Sequence, residues 1–232
     1  VKQGFKFSKF YGYFDAAIFY QEYDNTIEYL FGFWDFDFAL AGFKFVNTGK
    51  SKVTGIDISL NGQAKIGKNF EIYTMFGYTY VEPVSLDPNY VFAIDDRGIE
   101  YSYNSTSVDS SQNILKYRFL HTVKFDIEFN YKSFAFGTSM KYFSKIENLD
   151  NSIFEFENAT IESGTMQPIL YSNYFYNQNN GNIIFDMRLS YSFRQYHKIA
   201  IISNNIFNRW YSLRPLKAEA MRNITLQYTL SL

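Results

Sequence analysis

From Arg118 to Tyr142 the chain alternates oily and polar residues without a break. Phe119, His121, Val123, Phe125, Ile127, Phe129 and Tyr131 share one face; Leu120, Thr122, Lys124, Asp126, Glu128 and Asn130 share the other. Successive side chains of a strand point to opposite sides, so a period of two over this length predicts one strand with an oily face and a charged face. A tight turn at Tyr131-Lys132-Ser133 follows, and Phe134, Phe136, Thr138, Met140 and Tyr142 then resume the pattern against Ala135, Gly137, Ser139 and Lys141. The first oily run is slightly longer than the roughly 9–11 residues with which a tilted strand crosses a bilayer. The stretch therefore reads as a membrane-spanning β-hairpin.

A soluble lipocalin-like barrel would alternate too, with its oily face inward. Two features argue against it. The chain carries 26 Phe and 21 Tyr among 232 residues, more bulk than one small barrel interior holds. Its connections are also lopsided. A net charge of -1 gives no electrostatic case for nucleic acid as a partner. No run of 18 apolar residues is present, so no transmembrane helix is expected. The mean hydropathy of -0.24 would suggest a soluble protein, but barrel strands dilute apolar residues with lumen-facing polar ones. Cysteine is absent, which suits an oxidising compartment. No signal peptide opens the sequence, so an exported protein is expected to have been processed or truncated.

In order, strands are expected at Lys2 to Phe7, Tyr13 to Tyr23, Phe43 to Gln63, Phe70 to Val81, the two arms of the hairpin, Ile183 to Phe193, Lys198 to Phe207 and Met221 to Leu232. Short turns fall near Ser8 to Gly12, Gly67-Lys68, Tyr131 to Ser133 and Gln195 to His197. Long connections cover Asp24 to Gly42, Pro83 to Asn113, Leu149 to Asn180 and Asn208 to Ala220. Short periplasmic turns alternating with long outer loops are the habit of transmembrane barrels. The count is odd, whereas single-chain bacterial barrels close with an even number. Either Lys2 to Phe7 is not a wall strand or these strands belong to a larger barrel.

Motifs favour the larger barrel. Asn205-Ile206-Phe207-Asn208-Arg209-Trp210-Tyr211 resembles the Asn-Leu-Phe-Asn-x-x-Tyr segment near the end of TonB-dependent outer-membrane transporters. Arg214-Pro215, and Arg222 opening the final strand, resemble the variant of Bacteroidetes members. Phe45-Val46-Asn47-Thr48-Gly49 followed by Gly55-Ile56-Asp57 resembles the family's Asn-x-Gly and Gly-Ile-Glu pair; Lys145 to Asp150 and Asp186-Met187-Arg188 follow in the family's order. Met221 departs from the family's Pro before Arg222, and Leu232 from its terminal Phe. The resemblance implies an all-β, antiparallel, up-and-down transmembrane barrel of about 22 strands around a plugged lumen. Residues 1–232 would be the C-terminal part of its wall in the outer membrane of a Gram-negative bacterium, with the plug domain absent from this chain. Implied partners are outer-membrane lipid, the plug and remaining strands, the TonB energy-transducing complex through the missing N-terminal part, and a surface-exposed lipoprotein.

No catalytic site is legible, and neither an enzyme nor a cofactor is expected. His121 falls mid-strand and His197 in a short turn, and no Cys, phosphate-cradling glycine loop or Ser-His-Asp spacing occurs. Aromatic rings in the long connections are the better candidates for contacting an imported nutrient: Tyr29, Phe33 and Trp34, with Phe31, Phe36 and Phe38 nearby, and Tyr171, Tyr174 and Tyr176 beside Phe175. The plainer alternative is an aromatic girdle or loop packing. Asp35 with Asp37 and Asp95 with Asp96 have the oxygen chemistry of a calcium site, though solvated loop charge is the commoner outcome and no metal is expected. Lys124, Asp126, Glu128, Asp186 and Arg188 are expected to form cross-strand charge ladders on the lumen face. The nutrient class stays open between siderophore chelates, cobalamin, oligosaccharides and peptides. Two other readings stay open as well: a self-contained small barrel acting as pore or adhesin, and a soluble glycan-binding β protein.

Overall fold

The computed structural model describes residues 1–35, 40–164, 170–194 and 196–231. Nine strands hydrogen-bond into one antiparallel sheet, the wall. They are β1 (Lys2–Phe7), β2 (Phe10–Tyr23), β5 (Ser51–Ile66), β6 (Phe70–Ser85), β9 (His121–Tyr131), β10 (Phe134–Phe143), β11 (Asn182–Phe193), β12 (His197–Asn204) and β13 (Asn223–Leu230). Their spatial order is their chain order, so the sheet is an up-and-down meander. Strands β1 and β13 are its two edges, and they do not pair with each other among the described residues. Two hairpins, β3 (Ile27–Asp35) with β4 (Leu40–Asn47) and β7 (Val91–Ile94) with β8 (Glu100–Ser102), lie outside the wall. Helices α1 (Tyr103–Thr106), α2 (Ser152–Ser163) and α3 (Tyr171–Asn177) complete the fold. No described helix is long and apolar enough to cross a membrane.

Register turns the alternation of single strands into continuous rows. Ala64, Ile72, Phe129, Phe136, Leu189, Ile201 and Leu226 stand side by side across the sheet. Toward the short-turn end the next row on that face is Ile66, Phe70, Tyr131, Phe134, Tyr191, Ile199 and Tyr228, a band rich in rings. Toward the loop end Tyr80 pairs with His121, and Tyr78 with Val123. An apolar belt flanked by ring-rich rows is what the outside of a transmembrane barrel presents to lipid. Much of this face is open rather than packed: Ile18, on β2, is 84% exposed and Leu226 73%. A soluble barrel with the rings sealed inside is thereby excluded for the wall.

The opposite face carries the expected charge ladder. Arg188 donates to Asp126 through both terminal nitrogens at 2.8 Å and to Glu128 at 2.9 Å. Gly137 lies in register between Glu128 and Arg188. The guanidinium crosses directly over it, and a Cβ at residue 137 would come within 2.4 Å of Arg188. Lys124 faces Lys141 across the strand pair, a like-charge contact that Lys141 relieves by turning to Asp186 at 3.1 Å.

The hydrophobic core is in the connections, not the wall. Leu149 is fully buried and packs with Phe31, Ile146, Ile153 and Tyr171, joined by Phe43, Phe119, Phe156 and Leu216. The long connections therefore fold onto each other as one cap at the loop end. Here the structure corrects several sequence expectations. The strand expected from Phe43 to Gln63 is two. The ribbon of β2 and β5 breaks at residues 24–26 and 48–50, where Gly49 takes a left-handed φ of 83° and its N–H is held by Asn47 Oδ1. Beyond the break, β3 and β4 continue the ribbon into the cap. Strands β5 and β6 reach 16 residues each, further than a bilayer needs, and lift the cap clear of it. Pro83 lies inside β6, not in a loop. Arg118 to Leu120 precede β9, so His121 opens that strand instead of lying within it, and His197 opens β12 instead of sitting in a turn. Asn205 to Phe207 lie past the end of β12, and Met221 and Arg222 before β13. Gln195 and Leu232 are outside the described residues.

Candidate functional site

The cap is built around polar groups its own chain buries. Lys116 and Asp150 are fully buried and paired at 2.5 Å. The Asp150 carboxylate also accepts the Tyr117 hydroxyl and, at 2.8 Å, the Phe31 N–H. One carboxylate thus ties β3, the segment before β9 and the start of α2. Asn148 repeats the device, donating to Ile114 O at 3.0 Å and Ser107 Oγ at 3.3 Å while accepting the Asp109 N–H. Glu157 on α2 accepts the Ser172 N–H at 2.9 Å and its hydroxyl, fixing α3. Arg118 grips Glu28 with bonds of 2.9 and 3.0 Å and holds the hairpin base.

Burial dominates the electrostatics. It pulls the Lys116 ammonium below its usual range despite Asp150, and it pushes the Tyr103 hydroxyl up to about 12. Burial raises the Tyr117 and Tyr171 hydroxyls as well, and it lifts the Glu28 carboxyl above the usual range against the pull of Arg118.

The motif residues collect where wall meets cap. The Asn205 N–H donates to Asp186 Oδ1 at 2.8 Å, so two motifs far apart in sequence touch. Asn205 and Asn208 adopt left-handed φ of 49° and 53°, a conformation Asn tolerates. The Asn205 carboxamide closes the turn, donating to Arg209 O at 2.7 Å and accepting the Arg209 N–H at 2.8 Å. This turn presents Trp210 to α3.

Two cavities take in the candidate rings. The larger, about 380 Å³, lies between α3 and the β12–β13 connection and is lined by Leu170, Tyr171, Tyr174, Trp210, Leu216 and Lys217. Trp210 stands edge-on to Tyr174 at 5.4 Å. The smaller, about 110 Å³, lies between the two hairpins and is lined by Phe31, Phe33, Trp34, Phe92, Tyr101 and Asp96 among others. Two open hollows lie elsewhere: one of about 820 Å³ on the charged face near the turn end, formed by Lys6, Tyr11, Tyr13, Gln63, Tyr73 and Asp126 with their neighbours, and one of about 430 Å³ formed by Leu86 to Tyr90.

The candidate rings separate accordingly. Tyr171 and Tyr174 meet in the larger cavity, and Phe33 and Trp34 in the smaller. Trp34 Nε1 is held by Gly42 O at 2.7 Å, with Lys44 over the ring at 5.3 Å. Tyr29 stacks on Phe43 at 4.9 Å, and Tyr176, 66% exposed, packs on Phe154 at 5.6 Å. Neither lines these two cavities. Phe31 belongs to the core, and Phe36, Asp37 and Phe38 are outside the described residues. Asp95 is taken up by Arg97, the Ile99 N–H and Tyr101, and no group of metal-ligating side chains forms among the described residues. Trp210 and Leu216 are site residues that sequence reasoning left out. Trp210 lies in a motif and is one of only two Trp, which was the available signal.

No protein-family model and no curated protein matches the chain. Solved structures do. YddB, an outer-membrane transporter of Escherichia coli, superposes with a TM-score of 0.53 at 12% identity, covering 99% of this chain and 31% of that one. FpvA of P. aeruginosa, bound to heterologous pyoverdines, gives 0.52 at 10% identity over 99% and 26%. The siderophore receptor PiuA of Acinetobacter baumannii gives 0.50 at 19% identity over 97% and 25%. The chain spans between 25% and 31% of the length of these structures. Its fold is that of part of an outer-membrane transporter barrel, as the motif resemblance implied. The proteins it resembles are transporters and receptors, not enzymes.

Proposed function

We propose that residues 1–232 form the C-terminal part of the wall of a TonB-dependent transporter in the outer membrane of a Gram-negative bacterium, importing a scarce, large nutrient. The reading is carried by one observation: nine antiparallel strands whose connections are short turns at one end and, at the other, a single cored cap. A plain pore has no use for a cap with its own core. A binding protein that must hold a large ligand above a plugged lumen does.

In this reading the apolar rows meet lipid. The charged face and the hollow beside Tyr11 and Tyr73 meet the plug domain, which lies outside this chain. The TonB complex acts through the missing N-terminal part, and a surface-exposed lipoprotein is the further partner at the cap. Tyr171, Tyr174, Phe33 and Trp34 contact the nutrient through the two cavities, with Tyr29 and Tyr176 on the approach. A small self-contained barrel is disfavoured by β1 and β13, which stand as separate edges. The test is uptake. Cells expressing the full-length protein should accumulate the nutrient only with TonB and an energised inner membrane. Accumulation by simple diffusion, unaffected by deleting TonB, would overturn the proposal.

A further inference from the structure

The cavity between α3 and the β12–β13 connection is chemically specific enough to name the class of ligand it takes, and this inference rests on the transporter reading above. We propose that it binds a neutral, hydroxyl-bearing ring: one saccharide unit of an oligosaccharide. Three observations converge. The first is size and lining. About 380 Å³ bounded by Tyr171, Tyr174, Trp210, Leu170 and Leu216 is within the range of small-ligand pockets and accommodates a ring against aromatic walls.

The second is charge. Lys217 is the charged side chain lining the cavity, and it is neutralised by Glu219 at 3.0 Å. An anionic chelate would find no uncompensated cation there among the described residues, and a cationic ligand no free carboxylate.

The third is unmet hydrogen bonding. Tyr171 is 95% buried, being 5% exposed, yet its hydroxyl has no partner among the described residues. A buried hydroxyl without a partner costs free energy in the empty protein, so such groups point to a ligand that satisfies them. Tyr174 and Trp210, each carrying a polar atom on its ring, line the same cavity. Apolar ring faces edged by a buried, unpartnered hydroxyl suit a sugar, whose ring offers C–H faces and a rim of hydroxyls. A purely apolar side chain would leave the Tyr171 hydroxyl unsatisfied.

Titration calorimetry on the full-length protein in detergent tests this with maltohexaose, cellohexaose and xylohexaose against ferric citrate. At least one hexasaccharide should bind, and Tyr171→Phe should weaken it about fivefold, the loss of one hydrogen bond between neutral groups. The same substitution should leave the melting temperature of the unliganded protein unchanged or raised, because it removes an unsatisfied hydroxyl. Trp210→Ala should abolish binding. Failure of all three saccharides, unchanged affinity in Tyr171→Phe, or a lowered melting temperature in that variant would each overturn the proposal. Ferric citrate binding with TonB-dependent uptake would retain the transporter and remove the saccharide. Saccharide binding without TonB-dependent uptake would do the reverse.

Discussion

Replacing Asp150 by Ala should unfasten the cap while sparing the wall. The substitution removes the acceptor of Lys116 Nζ, the Tyr117 hydroxyl and the Phe31 N–H together. It leaves the Lys116 ammonium, whose side chain has 0% exposure, with the Thr106 hydroxyl at 2.5 Å and the Tyr103 ring at 5.4 Å but no counter-charge bonded to it. Removing one partner of a buried ion pair costs about 3–5 kcal/mol because the survivor stays charged and unpaired. Lys116→Met should cost less, about 2–3 kcal/mol, since Asp150 then keeps two donors. None of these residues lies in a wall strand, so the loss should be local. At about 1.4 kcal/mol per tenfold, Asp150→Ala predicts roughly a thousandfold faster amide exchange in residues 27–35, 40–47, 103–117, 144–164 and 170–177. Hydrogen exchange read by mass spectrometry on the detergent-solubilised protein resolves those segments from β9, β10 and β11. Equal acceleration of cap and wall peptides would refute the separate core, and acceleration below about threefold would refute the buried hub.

Gly137→Val should break the Arg188 bridge to Asp126 and Glu128, because the new side chain occupies the path of the guanidinium. A cost of about 1–3 kcal/mol in heat-modifiability assays is expected, and Gly137→Ala should cost less. Glu28 has a folded-state carboxyl raised by burial, so its contribution to stability is fully present below about pH 4.3 and is lost as pH rises through the raised value. Cap protection measured at pH 5 should therefore exceed that at pH 7 by a margin that Glu28→Gln abolishes. Asn205→Ala removes the carboxamide bonds to Arg209 and strains a left-handed residue. Exchange in residues 205–222 should accelerate by roughly a hundredfold, about 2–3 kcal/mol, with β12 little affected.

The wall was legible because a period of two needs no distant information: Phe125 beside Asp126 states the two faces of β9 by itself. Its register across nine strands follows from the same alternation, since a one-residue slip would place Arg188 among the rings. The cap was not legible, because its order lies in pairings between remote residues. Lys116 and Asp150 are 34 positions apart and nothing periodic links them. The aromatic run from Tyr29 to Trp34 mixes roles that only tertiary structure separates. Phe31 is core, Trp34 is pinned to Gly42, and Tyr29 is at the surface. The break at Gly49 was present in the sequence as Asn-x-Gly, but the continuous apolar pattern on either side concealed that the ribbon bends there. Trp210 was noticed as a motif residue, and only the left-handed turns at Asn205 and Asn208 bring it against Tyr174.

The central claim is that one face of this sheet meets hydrocarbon and the other an aqueous, plugged lumen. Residues 1–232 contain no cysteine; single cysteines can be introduced at positions 186 to 191 of β11 in the full-length protein, with any cysteine elsewhere replaced by Ser, and spin-labelled in liposomes. The account predicts that nitroxides at 187, 189 and 191 are accessible to oxygen and shielded from a water-soluble nickel chelate. Those at 186, 188 and 190 should show the reverse, or be shielded from both where the plug packs on them. Accessibility without a period of two, or with the phases exchanged, would contradict it.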